Sequence, residues 1–253
     1  MVYRLILLVF LFVFAALPSH AGADTRPIKA VTFEFPPYEY TDGDGNAAGL
    51  AVETVKEICQ RLKLDIEIEV LPWARALKDV EMGASDLIFT AYFTEERAEF
   101  LRYVNEVIMP QEVAVFVYKN SSLRSFHDVL QTGDLKIGVR RKISYGPMMD
   151  RLIHSGGFSD IWEASDDINL LRLLAHQRVD LVPLNRLVAR TLMHSNGLDY
   201  QIRELKPLVQ SVPSYIAFSK HSEMVYLARQ FEKEIRRIKA DGTYQRIFRK
   251  WSS

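Results

Sequence analysis

Residues 86–100 (DLIFTAYFTEERAEF) constrain the fold more than any other stretch of this chain. Residues 86–90 read as a short apolar strand, and Gly83, Ala84 and Ser85 before it end a helix. Thr94 reads as a helix N-cap, because its hydroxyl can accept from the free N–H groups of the first turn. Glu95 and Glu96 suit the positive end of that helix. Ala91, Tyr92 and Phe93 connect strand to cap. A strand that leads through a loop into a helix N-terminus is where open α/β sheets place their ligands. Arg97 sits one turn in, with a planar fork of donors that fits a carboxylate bidentately. Its alternative role is a solvated helix residue paired with Glu96 or Glu99.

The rest of the chain repeats this alternation. Strands are expected at residues 28–35, 65–71, 112–118, 134–139, 178–185 and 212–219, the first ended by Pro36-Pro37 because proline cannot donate to a ladder. Residues 51–62 form a helix with Val52, Val55, Ile58, Cys59 and Leu62 on its apolar stripe, and Pro72 opens the next helix. Further helices are expected at 126–130, at 166–177 with Leu170, Leu173 and Leu174 inward, and at 223–240. Strands alternating with helices define an α/β protein.

The chain has 253 residues, 48% of them hydrophobic, enough for one or two domains. Residues 1–23 read as a secretory signal peptide, with Arg4, an apolar run from Leu5 to Leu17, and a small-residue exit at Ala21-Gly22-Ala23. Cleavage is expected after Ala23, which places the mature protein in the periplasm. The apolar run is shorter than the roughly 20 residues that span a bilayer. Cys59 is the single cysteine, so no internal disulfide can form despite export, and it reads as a small buried hydrophobe. With 32 basic against 32 acidic residues, nothing points to nucleic acid or to a polybasic membrane surface.

Catalytic and metal motifs are missing. Asp42, Asp44, Asn46 and Glu53 fall at calcium-loop spacing, but Ala47 stands where that loop requires glycine. His127, His154, His176, His194 and His221 are scattered without metal-ligand spacing. No nucleophile elbow, dinucleotide fingerprint or phosphate loop occurs. No metal and no cofactor are expected, and no catalytic residue is assigned.

The Asp-Leu-Ile…Thr-Glu-Glu-Arg unit of residues 86–97, behind an amphipathic helix ending in Gly83, resembles the extracytoplasmic solute-binding proteins of family 3, the periplasmic amino-acid receptors of ABC importers. The C-terminal run of residues 239–251 (KADGTYQRIFRKW) matches the family's closing motif. The resemblance implies the two-lobed type II periplasmic-binding-protein fold, each lobe a mixed sheet flanked by helices, joined by two hinge crossover strands. Lobe one would comprise residues 24–109 and 213–253, and lobe two residues 110–212. Arg97 would hold a ligand carboxylate, and Thr90 and Tyr92 would add hydrogen bonds. Phe35, Tyr38 and Trp73 would enclose the rest of the ligand, although Phe35, Tyr38 and Trp73 equally suit the core. Ser144 and Asn185 would reach in from lobe two. Arg75 is either a second cation in the cleft or a surface charge.

Two positions depart from the family pattern. Lys142 replaces a glycine, and Asn185 replaces the acid that pairs with a ligand's α-ammonium. An amide accepts hydrogen bonds but offers no charge to a buried cation. The cations Arg140, Arg141 and Lys142 suit either an anionic ligand or a solvated turn. The expected partners are a small carboxylate-bearing solute and a membrane permease, with the protein itself a monomer. Two alternatives share the scaffold: a periplasmic lyase resembling the cyclohexadienyl dehydratases, with Glu34 or Glu39 as general acid, and a stand-alone sensory module.

Overall fold

Ten strands form one curled mixed sheet, flanked by helices, in this computed structural model, which describes residues 26–251. The expected signal peptide lies outside the described residues. Among those residues no helix is long and apolar enough to cross a membrane.

In chain order the first half contains β1 (Ile28–Thr32), the small hairpin β2 (Tyr40–Thr41) and β3 (Ala47–Ala48), α1 (Leu50–Leu62), β4 (Ile66–Val70), α2 (Trp73–Glu81), β5 (Leu87–Tyr92), α3 (Glu95–Ala98) and β6 (Leu101–Tyr103). The long strand β7 (Met109–Tyr118) leads into α4 (Phe126–Gln131), β8 (Lys136–Arg140), α5 (Pro147–His154), β9 (Asp160–Ala164), α6 (Asp167–Ala175), β10 (Leu181–Asn185), α7 (Arg186–Ser195) and β11 (Ile202–Glu204). A second long strand, β12 (Gln210–Ser219), returns to a 3-10 turn, α8 (Ala228–Ala240) and α9 (Thr243–Trp251).

The sheet order is β4-β1-β5-β12-β7-β10-β8-β9, so β7 and β12 lie in the middle and serve both halves. The N-terminal end of β7 pairs with β12, and its C-terminal end pairs with β10 and β11. β12 likewise passes from β7 to β5 and β6. Pro110 faces Pro213 where the two strands pair only with each other, which is where missing ladder donors cost least. The sheets of the two lobes are therefore joined edge to edge as one.

Burial follows this division. One apolar cluster packs β1, β5, α1 and α8 around Phe89, Phe218 and Phe231, and two others cover the opposite faces of the second half. α1 buries Val52, Val55, Ile58 and Cys59 as the stripe predicts. Gly49 opens α1 at φ +119, and a Cβ there would meet the Tyr38 carbonyl oxygen at 2.4 Å. The closing motif ties α9 to α1: Arg61 reaches Asp241 Oδ2 at 2.6 Å and Thr243 Oγ1 at 2.9 Å, while Lys250 and Trp251 both donate to Glu53 at 2.8 Å.

Several boundaries differ from the sequence reading. β1 stops at Thr32, where its pairing with β4 ends, so Phe33 to Phe35 leave the sheet before the prolines. α6 buries Leu171 rather than Leu173 beside Leu170 and Leu174. Residues 223–227 form a 3-10 turn ahead of the long helix. The 42–46 turn is closed by Asp42 Oδ1, which accepts from Asp44 N at 3.0 Å and Asn46 N at 2.9 Å.

Candidate functional site

A cavity lies between the two halves, lined from one side by Phe33, Phe35, Trp73, Thr90, Tyr92 and Arg97. From the other side come Ser144, Tyr145, Asp167 and Asn185, with Gln111 and Val113 on the crossing strand β7. The space in which a water molecule can centre is only about 30 Å3. The halves are thus drawn together around a narrow, aromatic-walled space.

Arg97 reaches this cavity because the Thr94 hydroxyl accepts from the Arg97 backbone N–H at 3.2 Å and starts α3 immediately after β5. The side chain is 5% exposed and stacks on Trp73, its guanidinium carbon 4.8 Å from the ring centroid. Nη1 donates to the Tyr92 carbonyl at 3.2 Å, and Nη2 crosses to the Lys142 carbonyl at 3.1 Å. No ion pair among the described residues neutralises it. Burial lowers its affinity for the proton from the ordinary arginine range.

Lys142 has φ +60, the left-handed region in which a glycine would be at ease. That turn aims its carbonyl into the cleft, where it also accepts Trp73 Nε1 at 2.8 Å. Thr90 is likewise left-handed at φ +59 inside β5, which runs on to Tyr92, and its hydroxyl donates to the carboxyl of Glu39. Glu39 lies wholly buried behind Thr90, outside the cavity wall. Its Oε2 and the Thr32 hydroxyl oxygen have no hydrogen-bond partner. Burial pushes the Glu39 carboxyl well above its usual range.

At the far end, Tyr92 Oη donates to Gln111 Oε1 at 3.0 Å, and Gln111 Nε2 donates to the Ser214 hydroxyl at 3.2 Å. Asn185 Nδ2 lies 3.4 Å from the same Gln111 oxygen. Asn185 does not enter a loop. It caps α7 directly, its Oδ1 accepting from Leu187 N at 3.0 Å and Val188 N at 3.1 Å. Ser144 lines the cavity, but its hydroxyl proton is committed to Asp150 on α5.

The three basic residues after β8 separate. Arg140 is buried, 4.8 Å above Phe33, donates to the Glu34 carbonyl at 3.1 Å and faces Asp167 at 3.4 Å. Burial raises the Asp167 carboxyl, and Arg140 opposes that rise. Arg141 pairs with Glu163 on the surface, and only the backbone carbonyl of Lys142 enters the cleft. Arg75 is a surface charge paired with Asp79.

Seven of the eight residues singled out from sequence therefore line one cavity: Phe35, Trp73, Thr90, Tyr92, Arg97, Ser144 and Asn185. Tyr38 does not. It stacks behind Phe35 at 5.5 Å and faces a second groove beside Asn185 and Phe248. Gln111, Tyr145, Asp167 and the Arg140 contact were not identified from sequence. Gln111 takes its role from Ser214 on the other crossing strand and Asp167 from Arg140, contacts that no local pattern specifies. Of the two acids considered for lyase chemistry, Glu34 accepts from Thr41 at the surface and Glu39 is sealed behind Thr90. Among the described residues no cluster of His, Cys, Asp or Glu could hold a metal ion.

A curled α/β sheet with two crossing strands and a cavity between halves defines a two-lobed solute-binding protein. The chain matches the family model for bacterial extracellular solute-binding proteins, family 3, over residues 28–253, and it belongs to that family. It is 20% identical over 218 residues to the L-cystine-binding protein TcyA of Bacillus subtilis (strain 168), covering 86% of this chain and 77% of that protein. Among solved structures it is similar to a histidine kinase sensor domain with similarity to periplasmic binding proteins, with TM-score 0.79, 21% identity, and 89% and 96% of the two chains covered. An ancestral arginine-binding protein bound to arginine gives TM-score 0.78 and 22% identity over 90% and 98% of the two chains. These likenesses establish the two-lobed fold.

Proposed function

We propose that this protein is a periplasmic receptor that closes around one small carboxylate-bearing solute and delivers it to the permease of an ABC importer. In this reading, residues 24–109 and 213–253 form one lobe and residues 110–212 the other, with the signal peptide removed after Ala23. The single observation that carries it is Arg97: a buried guanidinium without a counter-charge, facing a cavity whose walls come from both lobes. A buried unpaired charge costs several kcal/mol, about 3–5 kcal/mol when a partner is removed from a pair, so an arriving anion recovers energy there. A solute touching both lobes favours the closed state by its differential affinity. Phe33, Phe35 and Trp73 supply the apolar wall for its body, and Thr90, Tyr92, Ser144 and Asn185 its polar boundary.

The test is a thermal-shift screen of amino acids, dicarboxylates, small peptides and aromatic acids. Ligand at 100 times its dissociation constant adds about 2.7 kcal/mol to stability. The expected result is a raised melting temperature for a carboxylate, lost in Arg97→Ala. A shift that survives in that variant overturns the clamp.

A further inference from the structure

Two arginines cross the cleft in opposite directions, and they differ in what they bring with them. Arg97 leaves the first half and ends on the Lys142 carbonyl at 3.1 Å, with no ion pair to neutralise it. Arg140 leaves the second half and ends on the Glu34 carbonyl at 3.1 Å, its guanidinium carbon 4.8 Å above the Phe33 ring. Its counter-charge travels with it. Asp167 faces Arg140 Nη1 at 3.4 Å and Arg140 Nε donates to the Ser165 carbonyl at 3.2 Å, both partners belonging to the same half as Arg140.

Closure therefore costs the two differently. Bringing Arg97 between the halves buries a charge that a solute has still to match. Bringing Arg140 against Phe33 and Glu34 buries a charge that is matched already. Ser165 and Asp167 also hold the planar guanidinium in place beforehand, so little side-chain freedom is lost when the halves meet. Every partner of Arg140 is a group of the protein itself. The Trp73 indole, on the Lys142 carbonyl at 2.8 Å, and the Tyr38 hydroxyl, hydrogen-bonded to the Asn185 amide, add two further bonds of that kind across the cleft.

We propose, resting on the lobe division given above, that Arg140 is a solute-independent latch: it positions the lobes against each other so that the mature protein populates the closed arrangement before any solute binds. Arg97 is left to choose the solute. The solute then adds to a closure that is partly prepared, and its affinity carries the fraction of molecules already closed.

The experiment measures the distance between the lobes by pulsed electron paramagnetic resonance, on full mature protein stripped of solute by unfolding and refolding. Spin labels go on Arg75→Cys and Arg151→Cys, exposed positions on the two helices α2 and α5 that start at either side of the cleft. Cys59 is buried and takes no label. Without solute, about a tenth of the molecules or more are expected at the closed distance. Arg140→Lys keeps a cation beside Asp167 but loses the fork, and it is expected to lower the closed-to-open ratio about fivefold, the worth of one hydrogen bond. Arg140→Met combined with Asp167→Asn leaves no buried charge unpaired, is expected to lower the ratio at least as much, and decides the matter where Arg140→Lys fails to fold. Only the open distance in the solute-free parent overturns this inference while leaving the receptor reading standing, with closure then driven by solute alone. A closed fraction unchanged in both variants overturns the role given to Arg140. A thermal-shift screen that finds no solute removes the receptor reading and leaves the latch intact, because the distances are measured without one.

Discussion

The Arg97 guanidinium lies 4.8 Å from the centre of the Trp73 ring, and both side chains donate across the cleft to the Lys142 carbonyl, at 3.1 and 2.8 Å. Neither bond can form unless the halves approach, so two side chains of one half read the position of a single backbone oxygen in the other. Trp73 is wall, platform and latch at once, being 2% exposed and edge-on to Phe33.

Trp73→Phe separates the latch from the wall. The ring face beneath Arg97 is kept and the indole N–H is lost, which is one hydrogen bond worth about 1 kcal/mol. Ligand affinity is expected to fall about fivefold. Trp73→Ala removes the wall as well and is expected to cost about 3–5 kcal/mol of folding stability. Urea unfolding and calorimetric titration of the two variants check both figures, and equal losses in the two would refute the division.

Lys142 holds its carbonyl in place at φ +60, where a side chain is strained. Lys142→Gly relieves that strain but gives the unfolded chain more freedom. The two effects nearly cancel, and the expected change in urea midpoint corresponds to less than about 1 kcal/mol. Ligand binding should persist, because the carbonyl rather than the lysine side chain faces the cleft. A loss of binding in this variant would show that the ammonium group contributes.

Glu39 sets a pH dependence. Its carboxyl is raised by burial, with the Thr90 hydroxyl and the Arg140 charge opposing the rise. A carboxyl raised in the folded state holds its proton where the unfolded chain has released it. Stability therefore falls as pH climbs above the usual carboxyl range, by up to about 1.4 kcal/mol per pH unit, until the folded group also ionises. Glu39→Gln keeps an acceptor for Thr90 and supplies a donor toward Thr32. It is expected to melt higher than the parent at pH 7 and to converge with it near pH 4. A gap that stays constant across that range would count against a raised Glu39 carboxyl.

What sequence revealed about this site depended on distance along the chain. The Thr94 cap and the inward turn of Arg97 are set within four residues, and the strand-to-helix pattern exposes them. The burial stripe of α1 is equally local. No turn residue marks the junction after Asn185, where the strand passes straight into α7 and the Asn185 side-chain oxygen caps the helix. Glu39, a candidate general acid from its sequence, follows a Pro-Pro turn that carries no sign of burial. Only packing against Thr90, 51 positions later, buries it. The Gln111–Ser214 contact spans 103 positions and joins two strands whose partners no local pattern specifies.

Asp86 opens the strand-to-helix motif of residues 86–97, and its role in the structure is to anchor rather than to bind. It accepts from Arg26 Nη1 and Nη2 at 2.6 and 2.8 Å, from Lys29 N at 2.8 Å and from the Ser222 hydroxyl. Four donors thus tie the start of β1 and the 3-10 turn to the start of β5. Burial alone would raise this carboxyl, but Arg26, Ser222 and the Lys29 N–H outweigh it and hold it below its usual range. The stability it contributes is therefore present above the ordinary carboxyl pKa and lost as pH falls through the lowered value. Asp86→Asn keeps the shape and removes the charge, at an expected cost of about 2–3 kcal/mol from weakened charge-assisted bonds. Arg26→Ala should cost less, because its side chain is 45% exposed and solvent screens the pair. The double variant should lose less than the two single losses combined, since both remove the same contact. Urea unfolding of all four proteins at pH 7 measures this cycle, and strict additivity would show that Arg26 does not contribute through Asp86.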